Sequence, residues 1–336
     1  MELELLSRLR EPKLSIWKEF LLRQGLTPDL SADQTALLWD QDRLVAAASR
    51  LGNLFKCIAV DPLYQGQDLT AAVLTPLRQS AFEAGYGHLF LYTKPQNKYL
   101  FSSLFFYPIA CTDQVLLMEN RREGIQSFLQ NLPAAPVSSP APIGAAVMNC
   151  NPFTLGHRHL IETASGECAH LYVFVLSEDK SEFSFEDRME MVRMGTRDLP
   201  NVTVLPTGPY LISAATFPTY FLKERDNAPE IQCHLDLQIF SGYFAPRFSI
   251  NRRYVGTEEL SPLTARYNEI LKQHLPSHGI EVREIPRLCR ENTPISASHV
   301  RSLLAQGNDT DLLSLVPQTT YAFLQQKFRK TQEGPS

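Results

Sequence analysis

The sequence predicts an α/β protein: a C-terminal domain on a parallel sheet, preceded by a smaller domain of the α+β kind. Three observations carry this. From residue 143 onward, strand-like apolar runs alternate with amphipathic helical ones. One of those runs, "HLYVFVLS" (His170 to Ser177), is apolar almost throughout, as a strand buried on both faces should be. The composition also breaks once, at "LPAAPVSSPAP" (Leu132 to Pro142), where prolines at 133, 136, 140 and 142 mark an extended linker. The expected division is a first domain over 1–121, a linker over 122–142 and a second domain over 143–336.

The 336 residues suffice for two ordinary domains, and 44% hydrophobic against 20% charged residues allows a substantial core. A net charge of −4 and a pI near 6.1 give no overall basic field, so nucleic acid is not an expected partner. The six cysteines, Cys57, Cys111, Cys150, Cys168, Cys233 and Cys289, form no C-x-x-C pair and read as reduced thiols of a cytoplasmic protein. "MELELLSRLREPKLS" at the N-terminus has no apolar signal-peptide core. No apolar run reaches about 18 residues, so no membrane span is expected.

The first domain opens with a helix, "SIWKEFLLRQ". "TALLWDQDRLVAAASRL" reads as two strands about a "DQD" turn, and "LFKCIAV" as another strand. The helix "LTAAVLTPLRQSAFEA" and the strand "HLFLYT" follow. "NKYLFSSLFFYPIA" and the strand "QVLLMEN" close the domain, and "RREGIQSFLQN" reads as a short helix leading into the linker. This order resembles the GNAT-type acyltransferase fold, in which a strand–turn–helix unit grips the pyrophosphate of acetyl-CoA through glycine-rich amides. From Gln65 that pattern asks for small residues at positions 68 and 70, where this chain has Asp68 and Thr70. Glycine lets backbone amides converge on an anion, whereas aspartate sets a negative charge against it. The expectation is a GNAT-like scaffold with a degenerate acetyl-CoA loop, serving docking or structure.

In the second domain "IGAAVMN" is a strand and "GHRHLIETAS" a helix; "HLYVFVLS" is the next strand, "FEDRMEMVRMGTRDL" an amphipathic segment and "VTVL" a third strand. Later come the stretches "LDLQIF" and "RRYVG", the helix "PLTARYNEILKQHL", the strand "IEVREI" and the helix "SASHVRSLLAQG". A βαβ succession places helices on both faces of a parallel sheet, and ligands of such sheets bind at the carboxyl ends of the strands. Asn149 to His157 lies at such an end.

There, free amides and the positive dipole end of the helix suit a phosphate. Gly156 would let the backbone come close to it, His157 would donate a hydrogen bond in the first turn, and Thr154 would add a hydroxyl. Without a ligand the same residues are a capped helix with an exposed histidine. His157 and His159 also form His-x-His, but no neighbouring Cys or Asp set points to a metal. Thr-x-Gly-His after a strand resembles the His-x-Gly-His signature of the Rossmann-like nucleotidyltransferase superfamily, which implies ATP phosphates held there by Asn149, Phe153, Thr154, Gly156 and His157. "SEDKSEFSFEDR" follows the second strand. The superfamily often places a lysine there, a position that Lys180 fills, and Ser184 with Asp187 looks like a capping box; a solvated charged loop is the other reading. "ISASHVRSLL" (Ile295 to Leu304) resembles the superfamily's second signature. Ser296 and Ser298 would hold the β- and γ-phosphates, and Arg301, one turn beyond Ser298, would stabilise the leaving pyrophosphate.

The longer segments narrow the resemblance. "VMNCNPFTLGHRHLIE", "GPYLISAATFPTYFLK" within the stretch from Phe185 to Lys223, "RRYVGTEELSPLTARYNEILK" and "IEVREIPRLCRENTPISASHVRSLL" together resemble the citrate lyase ligase family. The resemblance implies that ATP, with Mg²⁺, and acetate react to form acetyl-adenylate. The acetyl group then passes to the thiol of a phosphopantetheine-like arm on the acyl-carrier subunit of the citrate lyase complex, with release of AMP and diphosphate. Thr154, His157, Lys180 and Arg301 are the implied catalytic residues, with no protein-held metal. No step needs a covalent nucleophile, so Cys150 reads as packing. Two other classes stay open: an adenylyltransferase acting on phosphopantetheine or a nicotinamide nucleotide, and a carrier-binding module without turnover.

Overall fold

The computed structural model describes residues 1–136, 140–178, 181–211, 228–258, 261–291 and 293–332. The chain falls into two compact units: Met1–Ile125 with Thr216–Leu235, and Gln126–Ala215 with Asp236–Ser336.

The first unit carries strands β1 (Glu2–Leu6), β2 (Gln34–Asp40), β3 (Arg43–Leu51), β4 (Leu54–Val60), β5 (Phe90–Thr93), β6 (Tyr107–Cys111) and β7 (Leu116–Glu119), in the sheet order β1-β2-β3-β4-β5-β7-β6. All pairs are antiparallel except β4 with β5, which pair in parallel at Leu54–Phe90 and Phe55–Leu91. Helices α1 (Lys13–Arg23), α2 (Leu69–Glu83) and α3 (Lys98–Ser103) complete it. Leu69, Val73, Leu77 and Ala81 recur at helical spacing, so α2 lays one apolar face on Val45, Phe55, Leu91 and Met118 of the sheet.

Helix α4 (Gly124–Gln130) is the short helix expected over "RREGIQSFLQN". Its Ile125 and Leu129 are buried, and its residues from Gln126 on belong with the second unit. The proline-rich stretch begins only at Pro133, and the residues before it are amphipathic enough to fold.

The second unit is a five-stranded sheet of β8 (Ile143–Met148), β9 (His170–Val175), β10 (Val202–Pro206), β11 (Arg252–Gly256) and β12 (Glu281–Ile285), ordered β10-β9-β8-β11-β12, with every pair parallel. Its period-2 alternation feeds two cores. Leu171, Val173 and Val175 of β9 face the layer of α5 (Leu155–Gly166), α6 (Phe185–Thr196) and α12 (Gln318–Gln332), meeting Ile161, Val192 and Leu324. Tyr172 and Phe174 face the other way, onto the rings of Phe244 and Phe248 near α8 (Ala245–Phe248). "LDLQIF" forms the end of α7 (Ala228–Ile239) and the first residue of a π-helical turn, because its apolar run continues a helical pattern begun upstream. Helix α9 (Pro262–His274) precedes β12; a two-residue ladder, β13 (Cys289–Arg290) with β14 (Thr293–Pro294), leads into α10 (Ala297–Ala305) and the short α11 (Asp309–Leu312). The mixed α/β class expected from the sequence is the class observed.

Candidate active site

β8 is the middle strand. The chain leaves it for β9 and β10 on one side and returns to β11 and β12 on the other, so the crevice between β8 and β11 is the topological switch point, where ligands of such sheets bind. A cleft of about 610 Å³ opens at these carboxyl ends. Thr154, Gly156 and His157 line it from the β8–α5 connection, Ser296 to Ser298 from the start of α10.

Thr154 is the N-cap of α5. Its Oγ1 accepts the His157 amide at 3.3 Å, and its own amide donates to His157 Nδ1 at 3.1 Å. A nitrogen that accepts cannot carry the proton, so the neutral ring is the Nε2–H tautomer. Burial, aided by the charge of Arg287, pushes the His157 pKa down to about 4. At neutral pH His157 is therefore an uncharged donor through Nε2, which bonds to nothing among the described residues. The Leu155 amide is taken by the Leu315 carbonyl (2.9 Å), which leaves the Gly156 amide of the first turn for a ligand.

The reason for Gly156 is not the expected one alone. A Cβ there would stand 3.0 Å from the Ile295 carbonyl oxygen, so the glycine lets α5 approach the segment that carries the second motif. In that motif Ser296 caps α10, accepting the His299 amide at 3.2 Å. The amides of Ala297 and Ser298 have no partner among the described residues. Two helix N-termini thus open on one cleft.

Three expected contacts stand behind this wall. Phe153 is fully buried; its ring stacks on His157 at 5.9 Å and fills the space over Gly195, so it supports the histidine and does not reach the cleft. Asn149 donates to Ser181 Oγ (3.1 Å) and accepts from Arg188 (2.7 Å). Arg301 donates to the Asn151 carbonyl (2.5 Å) and to Ser298 Oγ (3.1 Å), and lies 3.6 Å from Glu182. It joins the two motifs rather than lining the cleft. Lys180 lies outside the described residues, as does most of "GPYLISAATFPTYFLK". Cys150 is buried in the core, where desolvation raises its thiol pKa far above the ordinary value.

Sequence reasoning missed four residues. Arg188, the last residue of "FEDR", is fully buried and donates to the carbonyls of Asn149 (3.0 Å), Leu176 (2.7 Å) and Phe183 (3.2 Å), clasping the loops after β8 and β9. The motif held that signal. Tyr267 lines the cleft and donates to Asp236 (2.6 Å), whose burial raises its pKa to about 6 despite Tyr267 and the nearby Arg253. Arg287 also lines the cleft. Nothing in the sequence shows that β12 and α9 bring these groups to β8.

Among the described residues, no group of three or more His, Cys, Asp or Glu side chains could hold a metal. Glu258 is the sole carboxylate among the described residues of the cleft wall, and it accepts from the Ser261 amide (3.0 Å) and pairs with Arg287. The wall therefore does not fit a resident divalent cation.

The sequence model of the citrate lyase ligase C-terminal domain matches residues 143–324. The [Citrate [pro-3S]-lyase] ligase of Klebsiella pneumoniae is 42% identical over 322 residues, covering 94% of each chain. The chain belongs to the citrate lyase ligase family. Its membership makes it an enzyme, a ligase. The Haemophilus influenzae member is 38% identical over 94% of this chain and 96% of its own. Among solved structures, that of Escherichia coli ElaA aligns over 36% of this chain and 99% of its own, at 16% identity and a TM-score of 0.32. No described helix is long and apolar enough to cross a membrane.

Proposed function

We propose that this ligase activates acetate with ATP and acetylates the thiol of a phosphopantetheine-like arm on the acyl-carrier subunit of citrate lyase, in the cytoplasm. The observation that carries the reading is the convergence of the Thr154–His157 turn and the Ser296–Ser298 helix start on one switch-point cleft. An acetate oxygen attacks the α-phosphorus, and the bond to the diphosphate oxygen breaks. His157 Nε2–H and the Gly156 amide stabilise charge on the phosphates, being aimed before the reaction begins. The Ala297 and Ser298 amides hold the departing diphosphate, and Arg301 keeps the two helix starts in register through Asn151 and Ser298. The arm's thiolate then attacks the acetyl carbonyl carbon. The carbon–oxygen bond to phosphate breaks, AMP leaves with the electron pair and the thiol proton goes to solvent. Mg²⁺ would enter with ATP as part of that substrate, because the one described carboxylate of the wall, Glu258, is already taken by Arg287 and the Ser261 amide. The role of Lys180 as a guide for acetate or the α-phosphate belongs to the same proposal.

Support for a protein-borne acceptor comes from size. A small-molecule adenylyltransferase needs little beyond one α/β domain, whereas this chain adds the first unit and extra apolar segments. The test offers carrier subunit in its thiol form and free coenzyme A together, with MgATP and acetate. Acetyl thioester should form on the carrier at a kcat/KM well above that for coenzyme A, with one AMP per thioester. Adenylylated phosphopantetheine without AMP release would replace this reading by the adenylyltransferase one.

A further inference from the structure

The cleft has a cation that neither sequence motif contains. Arg287 follows β12 by two residues. Its backbone amide donates to Thr257 Oγ1 at 3.2 Å and its Nε to the Thr257 carbonyl at 2.8 Å, which tie it to the end of β11. Its Nη2 pairs with Glu258, whose side chain is nearly buried and is itself fixed by the Ser261 amide. A guanidinium held on two edges has lost most of its rotamer freedom before any ligand arrives. Nη1 makes no hydrogen bond among the described residues, and the side chain keeps 29% of its surface open. β11 separates β8 from β12, so Arg287 and His157 stand on either side of the β11 end. Arg287 is near enough to contribute to the lowered pKa of His157.

Arg301, the arginine that the sequence singles out, donates to Asn151 and Ser298 and does not line the cleft. Arg253 lines the cleft too, but its guanidinium lies over the Phe240 ring at 4.4 Å, in the buried layer with Asp236. That leaves Arg287 as the described guanidinium that is both anchored and half-open on the cleft.

We propose that Arg287 is a phosphate-binding residue of this site, placing Nη1 on an oxygen of the ATP phosphate chain across the cleft from His157. The assignment rests on the reading of the cleft as an ATP site. Glu258 serves as its positioning residue: it fixes the fork without approaching the phosphates.

The test is calorimetric titration of the full-length protein with ATP and with adenosine, for wild type, Arg287→Gln and Arg287→Lys. Glutamine keeps a donor for the Thr257 carbonyl and removes the charge. A hydrogen bond to a charged group is worth about ten- to a hundredfold in affinity, so Arg287→Gln should weaken ATP by that factor and leave adenosine within about twofold. Lysine restores charge without the fork, so its ATP affinity should fall between the other two. An unchanged ATP affinity in Arg287→Gln would overturn the proposal. Equal loss of ATP and adenosine binding would overturn it as well, since Arg287 would then only hold β11 to β12. A wild-type protein that binds neither would remove the ATP reading itself, and the assignment with it.

Discussion

The chain contains the same local device twice, and the two copies face opposite ways electrically. In each unit a strand runs through a connection of six to eight residues into a helix whose N-terminus opens on a cleft: β4 into α2, and β8 into α5. At α5 the turn presents donors: the Gly156 amide and the Nε2–H of a histidine kept neutral. At α2 the N-cap is Asp68, whose backbone is left-handed (φ 54°) and whose side chain makes no capping hydrogen bond. Its carboxylate stands at the positive end of α2 and lines a cleft of about 540 Å³. Both helices carry the same dipole. The side chains at the first turn decide whether an anion gains from it, because a carboxylate already there offsets the roughly half charge of the helix end.

Substitutions at α5 should break the contrast most strongly. His157→Ala removes a donor aimed at developing charge and should lower the rate of adenylate formation by about 10²- to 10³-fold, with a much smaller change in ATP affinity. Single-turnover kinetics separate the two, and normal turnover would sink the assignment. The neutral Nε2–H form also has a direct signature. Nitrogen NMR of labelled histidine should show that tautomer at neutral pH and a midpoint near 4. The sign for stability follows: a histidine whose pKa is depressed on folding adds stability above its unfolded value of about 6.5, and that contribution is lost as pH falls from there towards 4. A midpoint at the ordinary value would mean that the ring is not desolvated beside Arg287 as the structure has it.

Arg301→Ala comes next. It unties Asn151 from Ser298, and the step should slow by roughly 10- to 100-fold, since misplacing a catalytic group by an ångström costs of that order. Arg301→Lys should recover part of the loss, because lysine cannot bridge both partners. Gly156→Ala is milder. Its methyl group meets a backbone oxygen, so α5 or the Ile295 segment must shift by a few tenths of an ångström. A stability cost of about 1–3 kcal/mol is expected from such overpacking, readable as a lower Tm. The smallest effect belongs to the first unit. Acetyl-CoA titrated into the full-length protein should show no tight binding; a sub-micromolar Kd would mean that the Asp68 turn accepts anions in a way the comparison denies.

The sequence made the α5 turn legible because its chemistry is local: Thr154, Gly156 and His157 lie within one helical turn, and Ser296 to Arg301 within the N-cap and first turns of another helix. It also made the alternation of strands and helices legible, since β9 is apolar on both faces. That Phe153 faces inward is not legible, because only packing against Gly195 shows it. Arg287 and Tyr267 were invisible because their meaning depends on β12 and α9 coming to the crevice beside β8, and no spacing in the chain encodes that. "LDLQIF" alternates like a strand, yet the helical residues before it capture it.

Isotope exchange between ATP and labelled diphosphate, with and without acetate, tests the central claim most directly. If the donor-lined turn serves an acetate-activating ligase, exchange should depend on acetate and collapse in His157→Ala, with no carrier subunit required. Exchange that runs equally well without acetate, or that survives in His157→Ala, would contradict it.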